Sequence, residues 1–515
     1  MGEIMKNIKI CVLSVCLILV VTIIFSTSGI TTVCNNESSY RNKLIVKGNN
    51  DNGMWAIDVA DGIGAVGWYT DIVVNSETVF ISHYDIGRAD LKLASLDNNG
   101  WSWEVVDSEG KVGMYSSIAI DSSGNLHISY YDETNQDLKY AHRTGMDWNT
   151  EVIDAVGDVG LDTSIAVDSN DFPHISYLDD TNRDLKYATW TGSQWNIETI
   201  DVGGDVGLGS SITIDSNNNP HISYTNLQGY ELFYTFFSEP NWHIEVADAD
   251  SRIYGLTSIA LDSNQHPHIA YYDSSTPLEH SNLKYAYKTN DDWNIEIVDP
   301  DIRNWWEETG VSISIDQFER VHIAYYDWKS YDLNYAWRVN NRWNIETADP
   351  DGVVGAYASL DLDLNGYPHI SYMDRNSLDL KYAKKLQYSP EAPDKPSGQT
   401  KVKPGEDCFY KSYTNDFEKD KIRYGWDWGD HSDIQWTDYY TSGATVEASH
   451  AWEEKGTHQI RVIAEDENGH RSSWSEPLTI SVSKNKKNNQ PILFFFLELL
   501  FQIITLPGVI FIHGC

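Results

Sequence analysis

The chain has 515 residues, enough for more than one domain, and its 76 acidic against 37 basic residues give a net charge of −39. Residues 51–386 carry most of this charge, with 55 Asp and Glu against 19 Lys and Arg. A surface this acidic repels nucleic acid and anionic lipid and attracts cations, which excludes nucleic acid as a partner of this region.

The first 29 residues have the pattern of a secretory signal peptide. Lys6 and Lys9 precede an uncharged apolar run at 10–25, and small residues follow it at 26–29. The alternative is an uncleaved N-terminal anchor, although a run of 16 apolar residues is slightly short for a bilayer span. Both interpretations predict that the rest of the chain is exported, beginning with a linker at 30–50. Only five cysteines are present, two of them in this segment, so the domains rely on apolar cores rather than disulfides.

A motif of the form His-Ile-Ser-Tyr-x-Asp recurs through residues 51–386. Its first position recurs at intervals of 47 residues, with one interval of 54, at Phe80, His127, His174, His221, His268, His322 and His369. Each unit contains four alternating segments rich in Ile, Val, Tyr and Trp, separated by turns of Asp, Asn, Ser and Gly. A period in the forties with four strands per unit is typical of a β-propeller, and seven units predict seven blades.

The fourth strand of the repeat begins with a tryptophan in six units, at Trp101, Trp148, Trp195, Trp242, Trp293 and Trp343. The seventh unit ends at Ala383 without this strand, but the segment Trp55–Asp61, before the first unit, matches Trp242–Asp248. We therefore predict that an N-terminal strand completes the last blade of the 51–386 propeller and leaves no open sheet edge.

A linker rich in Pro, Gly and Ser at 387–400 separates this region from alternating strands at 401–484, which predict an immunoglobulin-like sandwich. Within it, Trp426-Asp-Trp-Gly-Asp-His431, followed by His450-Ala-Trp452 and Gly456-Thr-His458, resembles the PKD (polycystic kidney disease repeat) family. The hallmark of that family is Trp-Asp-Phe-Gly-Asp-Gly, so His431 departs from it. The resemblance covers roughly 390–484 and implies a spacer or adhesion module on an exported protein.

The predicted fold class is all-β: a seven-bladed β-propeller closed by an N-terminal strand, followed by an immunoglobulin-like, PKD-like β-sandwich. This order of leader, propeller and sandwich resembles archaeal and bacterial exported cell-surface proteins.

Residues 485–515 form a basic linker and a hydrophobic tail. The run 492–512 is mostly Phe, Leu and Ile but contains Glu498, Gln502 and Pro507. Two interpretations remain: a membrane-anchoring tail, or an amphipathic helix packed on the body of the protein or on a partner. Lysines precede the run, on the side that would be extracellular, which disfavours a simple anchor.

Two recurring residue types suggest metal binding, but a structural role is favoured for both. A histidine that recurs at the same position of six blades is expected to have the same role in each, and packing or hydrogen bonding is the simplest such role. Acidic residues that flank the hairpin between strands two and three are explained by turn capping, with a Ca²⁺-binding carboxylate rim as the alternative. The metal candidates are Asp132, Asp179, Asp327 and Asp374, with Asp361 and Asp363 of a calcium-loop-like segment.

The repeat is interrupted in two adjacent units. Four extra residues lie between Asp273 and Asn282 and three between Trp293 and Asp316, in connections that open on the same face of the ring. They contain the candidate ligand-binding residues Glu279, His280, Trp305, Trp306, Glu307 and Glu308. Loops leading into other innermost strands on that face add Trp68, Tyr69, Tyr115, Tyr254 and Tyr357. Aromatic rings beside carboxylates suit sugars, although the longer loops would also serve simply to fill the central channel.

No nucleophile elbow, zinc-helix motif or phosphate loop is present in the sequence. The sequence therefore predicts a non-catalytic, exported cell-surface recognition or adhesion protein that binds glycan or protein through this face, with Ca²⁺ as the only candidate cofactor. Membrane association through either hydrophobic end is a further expectation. The alternatives are a secreted glycoside hydrolase or lyase with a sialidase-like propeller, using Glu307 or Glu308 with a partner Asp, and a structural envelope component.

Overall fold

The computed structural model describes residues 30–33, 45–48, 54–76, 78–250, 252–273, 281–289, 292–302, 310–339, 341–386, 389–416, 420–467 and 469–483. The chain divides into two compact units, Met1–Leu386 and Gln387–Cys515. Within the described ranges, no helix is long and apolar enough to cross a bilayer. The predicted leader and the hydrophobic tail lie outside the described residues.

Three strands precede the first complete blade: β1 (Ile30–Val33), β2 (Ile45–Gly48) and β3 (Met54–Asp61). Blade 1 comprises β4 (Trp68–Asn75), β5 (Thr78–Asp85), β6 (Asp90–Asp97) and β7 (Gly100–Asp107). Blade 2 comprises β8 (Val112–Ile120), β9 (Leu126–Asp132), β10 (Asp137–Thr144) and β11 (Asp147–Asp154). Blade 3 comprises β12 (Val159–Val167), β13 (Pro173–Asp179), β14 (Asp184–Trp190) and β15 (Trp195–Asp201).

Blade 4 comprises β16 (Val206–Ile214), β17 (Pro220–Asn226), β18 (Glu231–Ser238) and β19 (Asn241–Asp248). Blade 5 comprises β20 (Ile253–Leu261), β21 (Pro267–Asp273), β22 (Ser281–Thr289) and β23 (Asp292–Ile302). Blade 6 comprises β24 (Val311–Ile315), β25 (Val321–Asp327), β26 (Asp332–Val339) and β27 (Arg342–Asp349). Blade 7 begins with β28 (Val354–Leu362), β29 (Pro368–Asp374) and β30 (Asp379–Leu386).

The N-terminal strand completes blade 7, as predicted. Its sheet has the order β1-β2-β3-β30-β29-β28, and β3 pairs antiparallel with β30. Trp55 is buried and donates a hydrogen bond from Nε1 to Oε1 of Glu346 at 2.9 Å. Its ring meets the ring of Tyr335 edge-on, with centroids 5.3 Å apart. The described residues therefore form seven blades of a closed propeller, and the first and last segments of the ring are held in one sheet.

The same tryptophan contact joins most neighbouring blades. Each outermost strand has a carboxylate three residues after its tryptophan, and the tryptophan of the next blade donates to that carboxylate. These hydrogen bonds are Trp101 to Asp58, Trp195 to Glu151, Trp242 to Glu198, Trp293 to Glu245 and Trp343 to Glu296, at 2.9–3.2 Å. The Trp-x-x-Glu/Asp spacing is thus a blade-joining signal that the sequence analysis did not use.

The repeated histidines are structural. Each points its Nδ1 at the hydroxyl of a third-strand tyrosine in its own blade, and its Nε2 toward the aspartate of the preceding turn. The pairs are His127–Tyr140, His174–Tyr187, His221–Tyr234, His268–Tyr285, His322–Tyr335 and His369–Tyr382. Burial lowers the pKa of all six histidines, so they remain neutral at physiological pH.

The second unit is a β-sandwich. One sheet has the order β31 (Ser397–Gly398), β33 (Cys408–Ser412), β36 (Val446–His450). The other has the order β32 (Lys401–Val402), β38 (Leu478–Val482), β37 (Gly456–Asp466), β34 (Ile422–Asp427), β35 (Gln435–Trp436). Three fully buried tryptophans, Trp426, Trp428 and Trp452, fill the core together with apolar residues of both sheets.

His431 occupies a turn that normally requires glycine. Its φ is 68°, in the left-handed region that costs an L-residue with a side chain about 1 kcal/mol relative to glycine. The turn is nevertheless kept, because Asp427 accepts the amide of Gly429 at 3.0 Å and Asp430 accepts the amide of Ser432 at 3.1 Å. The departure from the PKD hallmark therefore leaves the turn intact and strains one residue.

Replacing His431 with glycine is expected to stabilise the sandwich by up to about 1 kcal/mol, since the gain from relieving the strained φ exceeds the loss from a more flexible unfolded chain. The measurement is chemical denaturation of the full-length chain with His431→Gly, and with His431→Ala as the matched control. Alanine removes the imidazole but keeps the backbone strain, so it should bring no gain. Equal stabilisation by both variants would assign the effect to the side chain instead.

Candidate binding site at the channel mouth

The innermost strands of all seven blades line a cavity of about 160 Å³ on the propeller axis. Near its start, the innermost strand loses register with the second strand in most blades, as between Met114 and Ser117 of β8. The residue at this bulge takes a left-handed φ of 48–62° in five blades, at Tyr69, Tyr115, Asp162, Gly209 and Tyr357. Because a bulge changes the direction of a side chain, the four non-glycine residues among them line the cavity.

A first belt of hydroxyls follows the bulge and joins neighbouring blades. Each hydroxyl bonds the second-strand serine of the preceding blade at 2.8–3.1 Å, in the pairs Thr70–Ser371, Ser116–Ser82, Thr163–Ser129, Ser210–Ser176 and Thr257–Ser223. Where the second-strand residue is alanine, as at Ala270 and Ala324, the partner position holds Val311 or Ala358. This matched replacement shows that the hydroxyls of the first belt hold blades together.

A second belt lies one residue further along each innermost strand. Serines at 117, 164, 211, 258 and 312 accept the amide of the next blade at 3.0–3.3 Å. Asp71 replaces serine at this position in blade 1 and closes the belt. It accepts hydrogen bonds from Ser359 at 2.6 Å, from Ser117 at 2.9 Å, and from the amides of Ile118 and Ile72. Burial raises the pKa of Asp71 in spite of these four donors.

Four of the predicted aromatic residues lie together at the mouth of the cavity. The centroids of Tyr69 and Tyr115 are 4.5 Å apart, those of Tyr69 and Tyr357 are 4.9 Å apart, and those of Tyr357 and Trp68 are 5.7 Å apart. We call these four residues the aromatic arc; it runs across blades 7, 1 and 2. Tyr357 is buried, whereas the other three are half-buried.

Seven predicted ligand-binding side chains fall in ranges that the structure does not describe. The side chain of Tyr254 lies outside the described part of the structure, as do Glu279, His280, Trp305, Trp306, Glu307 and Glu308. Gly310, directly after the second inserted segment, lines the cavity. The second inserted segment is therefore covalently continuous with the cavity wall at Gly310.

Asp162 is the mouth residue that the sequence analysis missed. Its Oδ2 accepts the amide of Gly209 at 2.9 Å, and burial, with a small contribution from the charge of Asp180, raises its pKa to about 6. Burial raises the pKa of the neighbouring Tyr115, and the charge of Asp162 raises it further. The signal was present, because the 47-residue period leads directly from Tyr115 to Asp162. Asp162 differs from the aromatic residues that fill this position in blades 1, 2 and 7, which is why an aromatic pattern does not include it.

Five of the six predicted calcium ligands act as turn caps, and the sixth, Asp361, joins blade 7 to blade 1. Asp132 accepts the amide of Thr134 at 2.9 Å, Asp327 that of Lys329 at 2.8 Å, and Asp374 that of Asn376 at 2.9 Å. Asp179 and Asp363 likewise accept turn amides, from Asn182 and Asn365, whereas Asp361 accepts the amide of Val74 from blade 1 at 2.7 Å. Among the described residues, no group of three or more His, Cys, Asp or Glu side chains is arranged to hold a metal ion. The calcium hypothesis stays a prediction.

Comparison with known proteins identifies the second unit. Residues 389–482 match the family described as the PKD domain. The C-terminal sandwich is a PKD domain. It is similar to the PKD domain of an M14-like peptidase from Thermoplasmatales archaeon SCGC AB-540-F20, with 33% identity over 19% of this chain and 100% of that one and a TM-score of 0.18.

The propeller is similar to solved structures at much lower identity. One is a variant of AofleA from Arthrobotrys oligospora, at 13% identity over 57% of this chain and 90% of that one, with a TM-score of 0.41. Another is an α-L-arabinanase from Penicillium chrysogenum, at 11% identity over 53% and 92% of the two chains, with a TM-score of 0.40. No curated protein matches the chain.

The aromatic residues of the PKD hallmark form the centre of the domain's core. The rings of Trp426 and Trp428 stack with centroids 5.2 Å apart, and the ring of His450 stacks on Trp428 at 4.9 Å. His450 also contacts Oδ2 of Asp430 through Nε2 at 2.7 Å, which, with the bonds from Ser432, lowers the pKa of Asp430 to about 2 despite the opposing effect of burial. The motif residues of this domain are therefore explained by packing and by the turn.

Proposed function

We propose that this chain is an exported, non-catalytic cell-surface recognition protein whose propeller binds glycan at the channel mouth. The observation that supports the proposal is the aromatic arc, which adjoins a cavity lined by two carboxylates, Asp71 and Asp162. Sugar rings stack on aromatic faces, and carboxylates accept hydrogen bonds from sugar hydroxyls. The PKD domain serves as a spacer or adhesion module.

The hydroxyl belts limit how a ligand is recognised. Their oxygen atoms already accept or donate between blades, so a ligand is bound mainly by the arc, the mouth carboxylates and the inserted segments. Trp305 and Trp306 are the side chains that we expect to add stacking faces to the binding site, because their segment continues directly into Gly310 at the cavity wall, next to Tyr357 of the arc. Loops carried on a rigid scaffold are suited to this task.

Changing Trp305 and Trp306 together to alanine is expected to weaken glycan binding about 5- to 30-fold, because loss of ring stacking costs about 1–2 kcal/mol. The melting temperature should be nearly unchanged. The measurement is a glycan array and polysaccharide pull-down with the full-length chain, in Ca²⁺ and in chelator. Phe318→Ala is the matched control, since Phe318 is 57% exposed in the turn between β24 and β25, on the opposite face. Unaltered binding by the double variant would contradict the proposal, and an array blank in both conditions would favour a protein ligand.

A glycoside hydrolase is the second candidate function, and the environment of Asp162 favours it. A carboxyl group with a pKa raised to about 6 by burial is suited to act as a general acid, with Glu307 or Glu308 as its partner. Turnover of a polysaccharide by the wild-type chain, lost in Glu307→Gln or Glu308→Gln, would establish this function. Binding without turnover would leave the recognition function.

A further inference from the structure

The charge of the cavity is unbalanced. Two carboxylates, those of Asp71 and Asp162, lie among its described lining residues, and none of these lining residues is a lysine, arginine or histidine. Asp71 has four hydrogen-bond donors and closes the second belt. Asp162 has a single side-chain hydrogen bond, to Oδ2 from the amide of Gly209, so its Oδ1 has no donor in the described structure. Asp162 is half-buried, so its carboxylate is only partly solvated, and a positively charged ligand would compensate its charge.

We infer that the glycan bound at this mouth carries a protonated amine, which pairs with Oδ1 of Asp162 and lies against the rings of Tyr115 and Tyr69. The inference rests on the proposed function and specifies its ligand as an amino sugar with a free, non-acetylated amine. The ammonium would form a charge-assisted hydrogen bond with the carboxylate, while the tyrosine rings, with centroids 4.5 Å apart, offer their electron-rich faces to the cation.

Three features favour an organic cation over a metal ion. Ca²⁺ needs six to eight oxygen ligands, whereas the neighbour of Asp162 toward blade 2 is the ring of Tyr115. The nearby hydroxyls are used in the contacts between blades. No metal-binding group of three or more acidic, histidine or cysteine side chains occurs among the residues that the structure describes. The acidic propeller as a whole draws cations toward this face.

The test compares two ligands that differ only in the amine. Binding of a glucosamine tetramer and of its N-acetylated counterpart to the full-length chain is measured by calorimetry at neutral pH. The wild-type chain is expected to bind the glucosamine tetramer about tenfold more tightly, and Asp162→Asn should reduce this ratio to about one. Asparagine keeps an acceptor for the amide of Gly209 and tolerates the φ of 48°, so the fold should be retained. Asp147→Asn removes the same charge from an exposed site on β11 and should leave the ratio unchanged.

Different failures have different meanings. If both tetramers bind and Asp162→Asn leaves their ratio at the wild-type value, the inference is wrong and the proposed function stands. If Ca²⁺ raises the melting temperature of the wild type but not of Asp162→Asn, the site is a metal site and the inference is again wrong. If no saccharide binds in either assay, both the inference and the proposed function are wrong. If Asp147→Asn lowers the affinity ratio as much as Asp162→Asn does, the preference for the amine reflects the overall charge of the protein, and the inference is wrong.

Discussion

Replacing Trp55 with alanine is expected to destabilise the propeller by about 3–5 kcal/mol, the cost of removing a buried tryptophan from a packed core. Trp55 is 2% exposed, its ring packs against Tyr335, and its Nε1 donates to Glu346. Glu346 is itself buried. Its other partner is the ammonium group of Lys385, whose Nζ lies 2.8 Å from Oε1 of Glu346. The change would therefore leave a cavity where the ring closes and remove one of the two groups that support a buried carboxylate.

Trp148→Ala is the matched control for this prediction. Trp148 holds the same repeat position in blade 2, but it is half-buried and its Nε1 has no hydrogen-bond partner. Its loss should cost at least about 1 kcal/mol less than the loss of Trp55, which corresponds to one hydrogen bond. Calorimetric and denaturant-induced unfolding of the full-length variants would measure both costs. Equal destabilisation by the two variants would show that the strand closing the ring contributes no more to stability than the equivalent strand of blade 2.

The architecture can be predicted from the sequence because the residue pattern of each strand occurs in several units. A single His-Ile-Ser-Tyr segment would be ambiguous, but six such segments with six tryptophans fix both the strand count and the missing strand at Trp55. The PKD resemblance succeeded for a similar reason: Trp426 and Trp428 are core residues, and His431 alters one turn without altering the core.

The site was predicted less completely, because its geometry depends on backbone detail that the repeat pattern does not show. The bulge that turns Tyr69 and Tyr115 into the cavity depends on a left-handed φ in residues that rarely adopt it. A pattern search for aromatic residues finds Tyr115 but treats Asp162, at the same position of the next blade, as one acid among many. Asp71 was passed over for the same reason, since its role appears only when the belt of serines is traced around the ring.

A buried ionic network also holds neighbouring blades together. Asp107, at the end of β7, accepts the hydroxyl of Tyr130 at 2.6 Å and Nζ of Lys139 at 2.5 Å, both from blade 2. Burial raises the pKa of Asp107, but the hydrogen bonds from Lys139 and Tyr130 outweigh burial and leave the pKa below its ordinary value. Lys139 is 7% exposed. The same arrangement joins other blades through Asp154 with Lys186 and Asp349 with Lys381.

Blade 4 contains a natural variant of this network. Asp201 accepts the hydroxyl of Tyr224 at 2.8 Å, but phenylalanine, Phe233, stands where the lysine would be. The propeller therefore tolerates the loss of the lysine when an apolar side chain of similar length replaces it. Asp201 keeps its charge but is half-buried, so water can solvate its carboxylate, whereas the removal of one partner of a fully buried pair leaves an uncompensated charge.

Asp107→Ala is accordingly expected to cost about 3–5 kcal/mol, because Lys139 remains buried without its counter-ion. Asp201→Ala, which removes the partner of the Tyr224 hydroxyl and of the exposed amide of Gly203 but leaves no buried cation, should cost about 1–3 kcal/mol. Adding Lys139→Met to Asp107→Ala should recover a large part of the loss. The depressed pKa of Asp107 also predicts that its contribution is complete above the unfolded-state pKa of about 3.9 and disappears as pH falls through the folded-state value. Denaturation of the three variants at neutral and acidic pH would measure these differences, and equal losses for Asp107→Ala and Asp201→Ala would show that the lysine is not held by its charge.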